Sequence, residues 1–163
     1  MQTTEPRPPA PQPAEIRAVD AFTVAGLRGH FTIETVAQIP ALWQRFGPHV
    51  GHMPGELPGR SFGLSLRPAE AAEGFDYLCA VEVATLDGLP APFAGIHVPA
   101  RDWAVFPHTG HISGIAATCG AAMAWCCQAG GPTPEGVEMV EVYGPAFDAA
   151  TGLGGLEIWV PAP

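Results

Sequence analysis

Basic residues are scarce in this chain: 7 Lys and Arg stand against 16 Asp and Glu, for a net charge of −9 over 163 residues. That balance serves solubility first. It also repels nucleic-acid phosphates and attracts cations, so direct DNA or RNA binding is not expected. Long apolar runs are missing as well. No stretch reads as a membrane span, which needs ~18 or more apolar residues in a row. Residues 1–13 are Pro-rich and polar, without the apolar segment of a signal peptide. Cysteine is limited to Cys79, Cys119, Cys126 and Cys127, with no C-x-x-C spacing. Reduced thiols in a cytoplasmic protein are the expectation. H-E-x-x-H, G-x-S-x-G and phosphate-binding Gly-rich loops are also missing. His49 with His52 and His108 with His111 lack companion carboxylates and read as loop or capping residues. No metal or cofactor site is expected.

What is present is enough chain for one domain with a substantial core. Residues 1–14 read as a flexible tail and 15–163 as the folded unit. Residues 16–24 are rich in β-formers. Val36, Ile39, Leu42, Trp43 and Phe46 fall at helical spacing, with Pro40 tolerated if the helix starts near it and Gly47-Pro48 as its stop. Residues 61–66 and 75–84 read as strands. Residues 86–100, with Pro90, Pro92 and Pro99, read as a crossover. A strand at 103–106, a helix of small residues at 112–127 closed by Gly130-Gly131-Pro132, and strands at 137–143 and 156–160 complete the pattern.

The order strand, helix, strand, strand occurs twice. A gapless shift of about 81 residues superimposes Val24 on Val105, Gly29-His30 on Gly110-His111, and Phe22 on Trp103. The expected fold is therefore α+β: duplicated βαββ units that pair into one antiparallel sheet, with two helices and a ligand groove between the halves.

The most informative segment is Val137-Glu138-Met139-Val140-Glu141-Val142-Tyr143. Alternation along a strand puts Val137, Met139, Glu141 and Tyr143 on one face and Val140 and Val142 on the other. A strand apolar on both faces is interior, and a carboxylate there is costly unless paired. Glu141 is then a structural carboxylate, satisfied by a backbone amide, a hydroxyl or a base such as Arg60 at its repeat-equivalent position, or a charge awaiting a cationic ligand, or a general acid/base. Tyr143, Trp103, Phe22, Trp43 and Trp125 are candidate aromatic walls. Core packing is the alternative for each. The small residues of the second helix allow close packing or an open space beside it.

Taken together, Ala21-Phe22-Thr23-Val24-Ala25-Gly26-Leu27, Ile39-Pro40-Ala41-Leu42-Trp43, Trp103-Ala104-Val105-Phe106-Pro107-His108, Glu141-Val142-Tyr143-Gly144-Pro145 and Glu157-Ile158-Trp159-Val160-Pro161 resemble the GyrI-like family. That family's domain also serves as the effector-binding domain of AraC-type and MerR-type multidrug regulators. The resemblance covers about residues 15–161. It implies a ligand groove between two similar halves, with Glu141 matching a buried glutamate that receives lipophilic cations and Tyr143 matching a pocket aromatic. It also implies that some free-standing members are hydrolases of cyclopropane-type electrophiles, with the glutamate as the catalytic group. Fourteen residues before the domain are too few for a helix-turn-helix. The expectation is a stand-alone module for a flat, apolar, cationic or neutral molecule, with a hydrolase or a protein-partner regulator as the alternatives.

Overall fold

A computed structural model describes residues 12–68, 73–129 and 136–163. The tail reading and the Gly-Gly-Pro helix stop fall wholly or largely outside the described residues. The elements run β1 (Glu15–Val19), β2 (Phe22–Phe31), α1 (Ile39–Phe46), β3 (Glu56–Leu66), β4 (Phe75–Val83), β5 (Ala94–Val98), β6 (Arg101–His108), α2 (Ile115–Ala129), β7 (Val137–Tyr143) and β8 (Leu156–Pro161). All eight strands join one antiparallel sheet in the order β1-β6-β8-β7-β3-β4-β2-β5. The order is palindromic when β1 to β4 are matched with β5 to β8. The two halves thus meet at β3 and β7, and each lends its first strand to the far edge of the other.

That exchange corrects two readings. Residues 16–24 are not one strand. The chain breaks after Val19, and β1 pairs only with β6 of the second half. The presumed crossover 86–100 contains β5, whose five residues carry no proline and pair with β2. The prolines flank this strand rather than interrupt it, as suits an edge. The repeat is also not gapless. A shift of 81 carries Val24 to Val105 but its partner Glu82 to Pro163, whereas Val105 pairs with Trp159.

The sheet curls. Strands lie ~4.8 Å apart, so β2 and β8, four steps apart, would be separated by about 19 Å if it were flat. Yet the rings of Phe22 and Trp159 lie 6.3 Å apart. The concave face is filled by Phe22, Val24, Phe62, Leu64, Leu78, Trp103, Val105, Val140, Val142 and Trp159, all buried. Among the described residues no helix enters it. The helices cover the convex face. α1, with Pro40 in its first turn, buries Leu42 and Phe46 against β2 and β4. α2 packs on β6 and β8 through Ala122, with Ile115, Cys119, Met123 and Trp125 half-buried. His108, buried at the end of β6, anchors the start of this helical segment through Thr118 Oγ1 (2.7 Å) and the His111 carbonyl (2.8 Å), and His111 accepts from the Ser113 amide. Residues Ile112–Ala129 reach a mean hydropathy of 1.2, long and apolar enough to cross a membrane by length and composition, a profile that helices packed on a sheet also have, and here α2 packs on β6 and β8. Scattered Ser, Thr, Gly and Gln hide the run without adding charge.

Candidate functional site

On the convex face the main contacts of α1 fall on β2 and β4 and those of α2 on β6 and β8, so β3 and β7, the two strands at the pseudo-two-fold, lie between the helices. Glu141 sits there, opposite Gly63 on β3 and Ile158 on β8. Met139, Glu141 and Tyr143 point to this face. Val137 does not. A register shift between Ser65 and Leu66 leaves Glu138 out of the pairing, which turns Val137 to the concave core with Val140 and Val142. The single-face reading of residues 137–143 is corrected to that extent.

Glu141 is 9% exposed. Its partners are two phenols: Tyr143 Oη donates to Oε1 at 2.6 Å and Tyr77 Oη at 3.2 Å. Tyr77 arrives from β4, two strands away, and can do so because Gly63 lies between. A Cβ on Gly63 would stand 2.0 Å from the Tyr77 oxygen and 3.2 Å from the Glu141 Cδ. Trp43 of α1 in turn donates its Nε1–H to Tyr77 Oη at 3.0 Å, and its ring meets that of Tyr143 edge-on at 5.4 Å. Phe147 lies 5.0 Å behind Tyr143.

Both hydroxyls converge on Oε1. Among the described residues Oε2 has no donor, and the only fully enclosed side-chain polar atom without a partner is Trp103 Nε1, so Oε2 keeps access to solvent. Arg60 is not a partner. It turns to the concave face, where it pairs with Glu82 at 3.0 Å and lies over Phe62, which corrects the repeat-based suggestion. Burial therefore dominates. It pushes the Glu141 carboxyl up to about 7, against the lowering effect of the Tyr143 and Tyr77 hydrogen bonds. Burial, and then the charge of Glu141, raise both phenols and hold the Cys119 thiol of α2 at about 12. Cys79 of β4 is raised for the same reasons. Among the described residues, then, the site is a nearly enclosed carboxyl with no cation beside it, walled by aromatic rings and neutral thiols.

Of the residues singled out from sequence, Glu141, Tyr143 and Trp43 come together here. Trp103 and Phe22 do not: both are packed in the concave core, on the far side of the sheet. Trp125 lies on α2 with its ring against Phe106. Sequence reasoning missed Tyr77 and Gly63. The unbroken apolar run Tyr77-Leu78-Cys79-Ala80-Val81 marks an interior strand, but only strand order brings β4 within reach of β7. An open depression of about 310 Å³ lies away from Glu141, near the ends of β6 and β8, and includes Arg17, Arg60 and Glu157. Its charges are already paired, Arg17 with Glu15 and Glu157 and Arg60 with Glu82, so it offers no comparable demand for a ligand.

The model of the GyrI-like small molecule binding domain matches residues 12–163. The chain belongs to the GyrI-like family. Solved structures share the fold of this GyrI-like domain at low identity. SAV2435 bound to tetraphenylphosphonium matches with a TM-score of 0.72 at 18% identity, over 91% of this chain and 93% of that one. An integron cassette protein from the mobile metagenome of Vibrio cholerae matches at 0.67 and 16%, over 93% and 97%. The C-terminal domain of EcmrR matches at 0.66 and 17%, over 91% and 96%. No curated protein sequence matches significantly. The α+β architecture expected from sequence, an antiparallel sheet with two helices, is the fold found.

Proposed function

We propose that this GyrI-like domain binds a flat, lipophilic cation in the cleft between α1 and α2, with Glu141 as its counter-charge. The observation that carries the reading is a buried carboxylate whose only partners among the described residues are hydroxyls. Such a group lacks the neutralisation that buried charges ordinarily have, and a bound cation supplies it. Trp43, Tyr77 and Tyr143 offer the aromatic faces that attract cations and flat rings. The tetraphenylphosphonium held by SAV2435, a protein of the same fold, shares the lipophilic, aromatic and cationic character of the ligand proposed, with four rings set tetrahedrally rather than in one plane. The free thiols suit a cytoplasmic protein, and service as an effector sensor fits the likeness to EcmrR.

The test is a tryptophan-fluorescence titration with tetraphenylphosphonium and a neutral aromatic of similar shape. Glu141→Gln should weaken the cation by about 1–3 kcal/mol, as for loss of a charge-assisted contact, and the neutral ligand much less. Tyr143→Ala should weaken both. Wild-type affinity for both ligands in Glu141→Gln would make the carboxylate structural. A second reading, hydrolysis of a strained electrophile, is favoured by one observation: a carboxyl held near neutral suits a general base. Glutamate-dependent consumption of an electrophilic ligand, followed by mass spectrometry, would establish it.

A further inference from the structure

The two oxygens of Glu141 are not equivalent. Oε1 accepts from both phenols, and Oε2 has no donor among the described residues and opens to solvent. The groups facing the carboxylate are Tyr77 and Cys79 from β4, Tyr143 from its own strand, Gly63 from β3, Ile158 from β8, Trp43 from α1 and Cys119 from α2. None is basic, and the described arginine and histidine salt bridges all lie elsewhere. An empty site can therefore neutralise its charge in only one way, by holding a proton. With two O–H groups already pointing at Oε1, that proton sits on Oε2, the oxygen that is not fully enclosed.

Resting on the cation-binding reading above, we infer that Glu141 is a proton-exchange site that takes two ligand classes in opposite states: a lipophilic cation displaces the Oε2 proton into solvent, and a neutral aromatic bearing a hydrogen-bond acceptor binds the protonated acid through that same proton. The exchange balances: one positive charge enters, one proton leaves, and no covalent bond other than O–H changes. The phenols serve both states without moving, because they donate to Oε1 whether or not Oε2 is protonated. The device needs no base in the pocket and no conformational switch. It makes the acidity of the surroundings a selector of ligand class.

With the carboxyl at about 7, the fraction ionised limits cation binding below neutrality and the fraction protonated limits acceptor binding above it. Between about pH 8 and about pH 5.5, tetraphenylphosphonium should weaken about thirty-fold while triphenylphosphine oxide, a neutral acceptor of related shape, should tighten about ten-fold. The experiment is isothermal titration calorimetry of the whole chain with each probe across that range. Runs at about pH 6 in two buffers of different ionisation enthalpy count the protons released. The expected count is close to one for the cation and close to zero for the oxide. Glu141→Gln should flatten both pH profiles. Should that variant fold poorly, the proton count on the wild type decides by itself. Cation binding that is independent of pH and releases no proton overturns the exchange and leaves the cation reading standing. Failure of the cation to bind at any pH overturns both, and an oxide profile that follows the cation's overturns the two-class assignment.

Discussion

Replacing Glu141 by glutamine should change stability in a way that depends on pH, and the structure sets the direction and size. The carboxyl ionises at its ordinary value of 4.5 in the unfolded chain and is pushed up to about 7 in the fold. Below 4.5 both states hold the proton and the wild type has its full stability. As pH rises from 4.5, the unfolded chain releases its proton while the folded chain keeps it, so stability falls. Above about 7 both are ionised and the loss is complete. The difference, at 1.36 kcal/mol per pH unit, amounts to about 3 kcal/mol. Glu141 is 9% exposed, so solvent screening removes little of it. Glutamine presents the same oxygen to Tyr143 and Tyr77 and carries no charge, so the variant lacks this slope. For a chain of this length 3 kcal/mol corresponds to roughly 6–12 °C in Tm. Thermal unfolding of ligand-free protein by circular dichroism, from about pH 4.5 to about pH 8, should show the variant gaining on the wild type by that amount. A Tm difference that stays constant across the window would refute the reasoning: the carboxylate would then be as well solvated in the fold as outside it.

Three further outcomes follow from the packing. Gly63→Ala places a methyl 2.0 Å from the Tyr77 oxygen, so it should break the Tyr77–Glu141 contact. It should destabilise by about 1–3 kcal/mol in urea unfolding and lower cation affinity, and a silent substitution would mean Tyr77 is free to move. Trp103→Phe should lower stability by roughly 1–3 kcal/mol yet leave affinity within about twofold, because its ring lies in the concave core. Trp43→Phe, which loses the bond to Tyr77, should do the reverse. Iodoacetamide at about pH 8 with peptide mapping should label exposed Cys127 first and enclosed Cys79 last, with Cys119 slow because its thiol is held at about 12. Rapid labelling of Cys119 would mean that its thiol is neither buried against the sheet nor raised by Glu141.

Local chemistry alone determined a good deal about this protein. The β-rich segments, the helix beginning at Pro40 and the alternation that sets Glu141 and Tyr143 on one face of an apolar strand all depend on neighbours within a few residues, and these were legible. So was the duplication, though its offset drifts between strands. What only the tertiary structure decided depends on register, strand order and curl, which no short window encodes. Alternation puts Trp103 and Phe22 on one face but cannot say that this face is the one that closes on itself, so two candidate walls became core. Repeat equivalence set Arg60 beside Glu141, yet cross-strand register set Gly63 there and sent Arg60 to Glu82. The register shift that turns Val137 inward comes from the same pairing. Tyr77 reaches Glu141 from two strands away because the glycine between them has no side chain, and a contact of 64 residues' separation made through the absence of an atom leaves no pattern in the sequence.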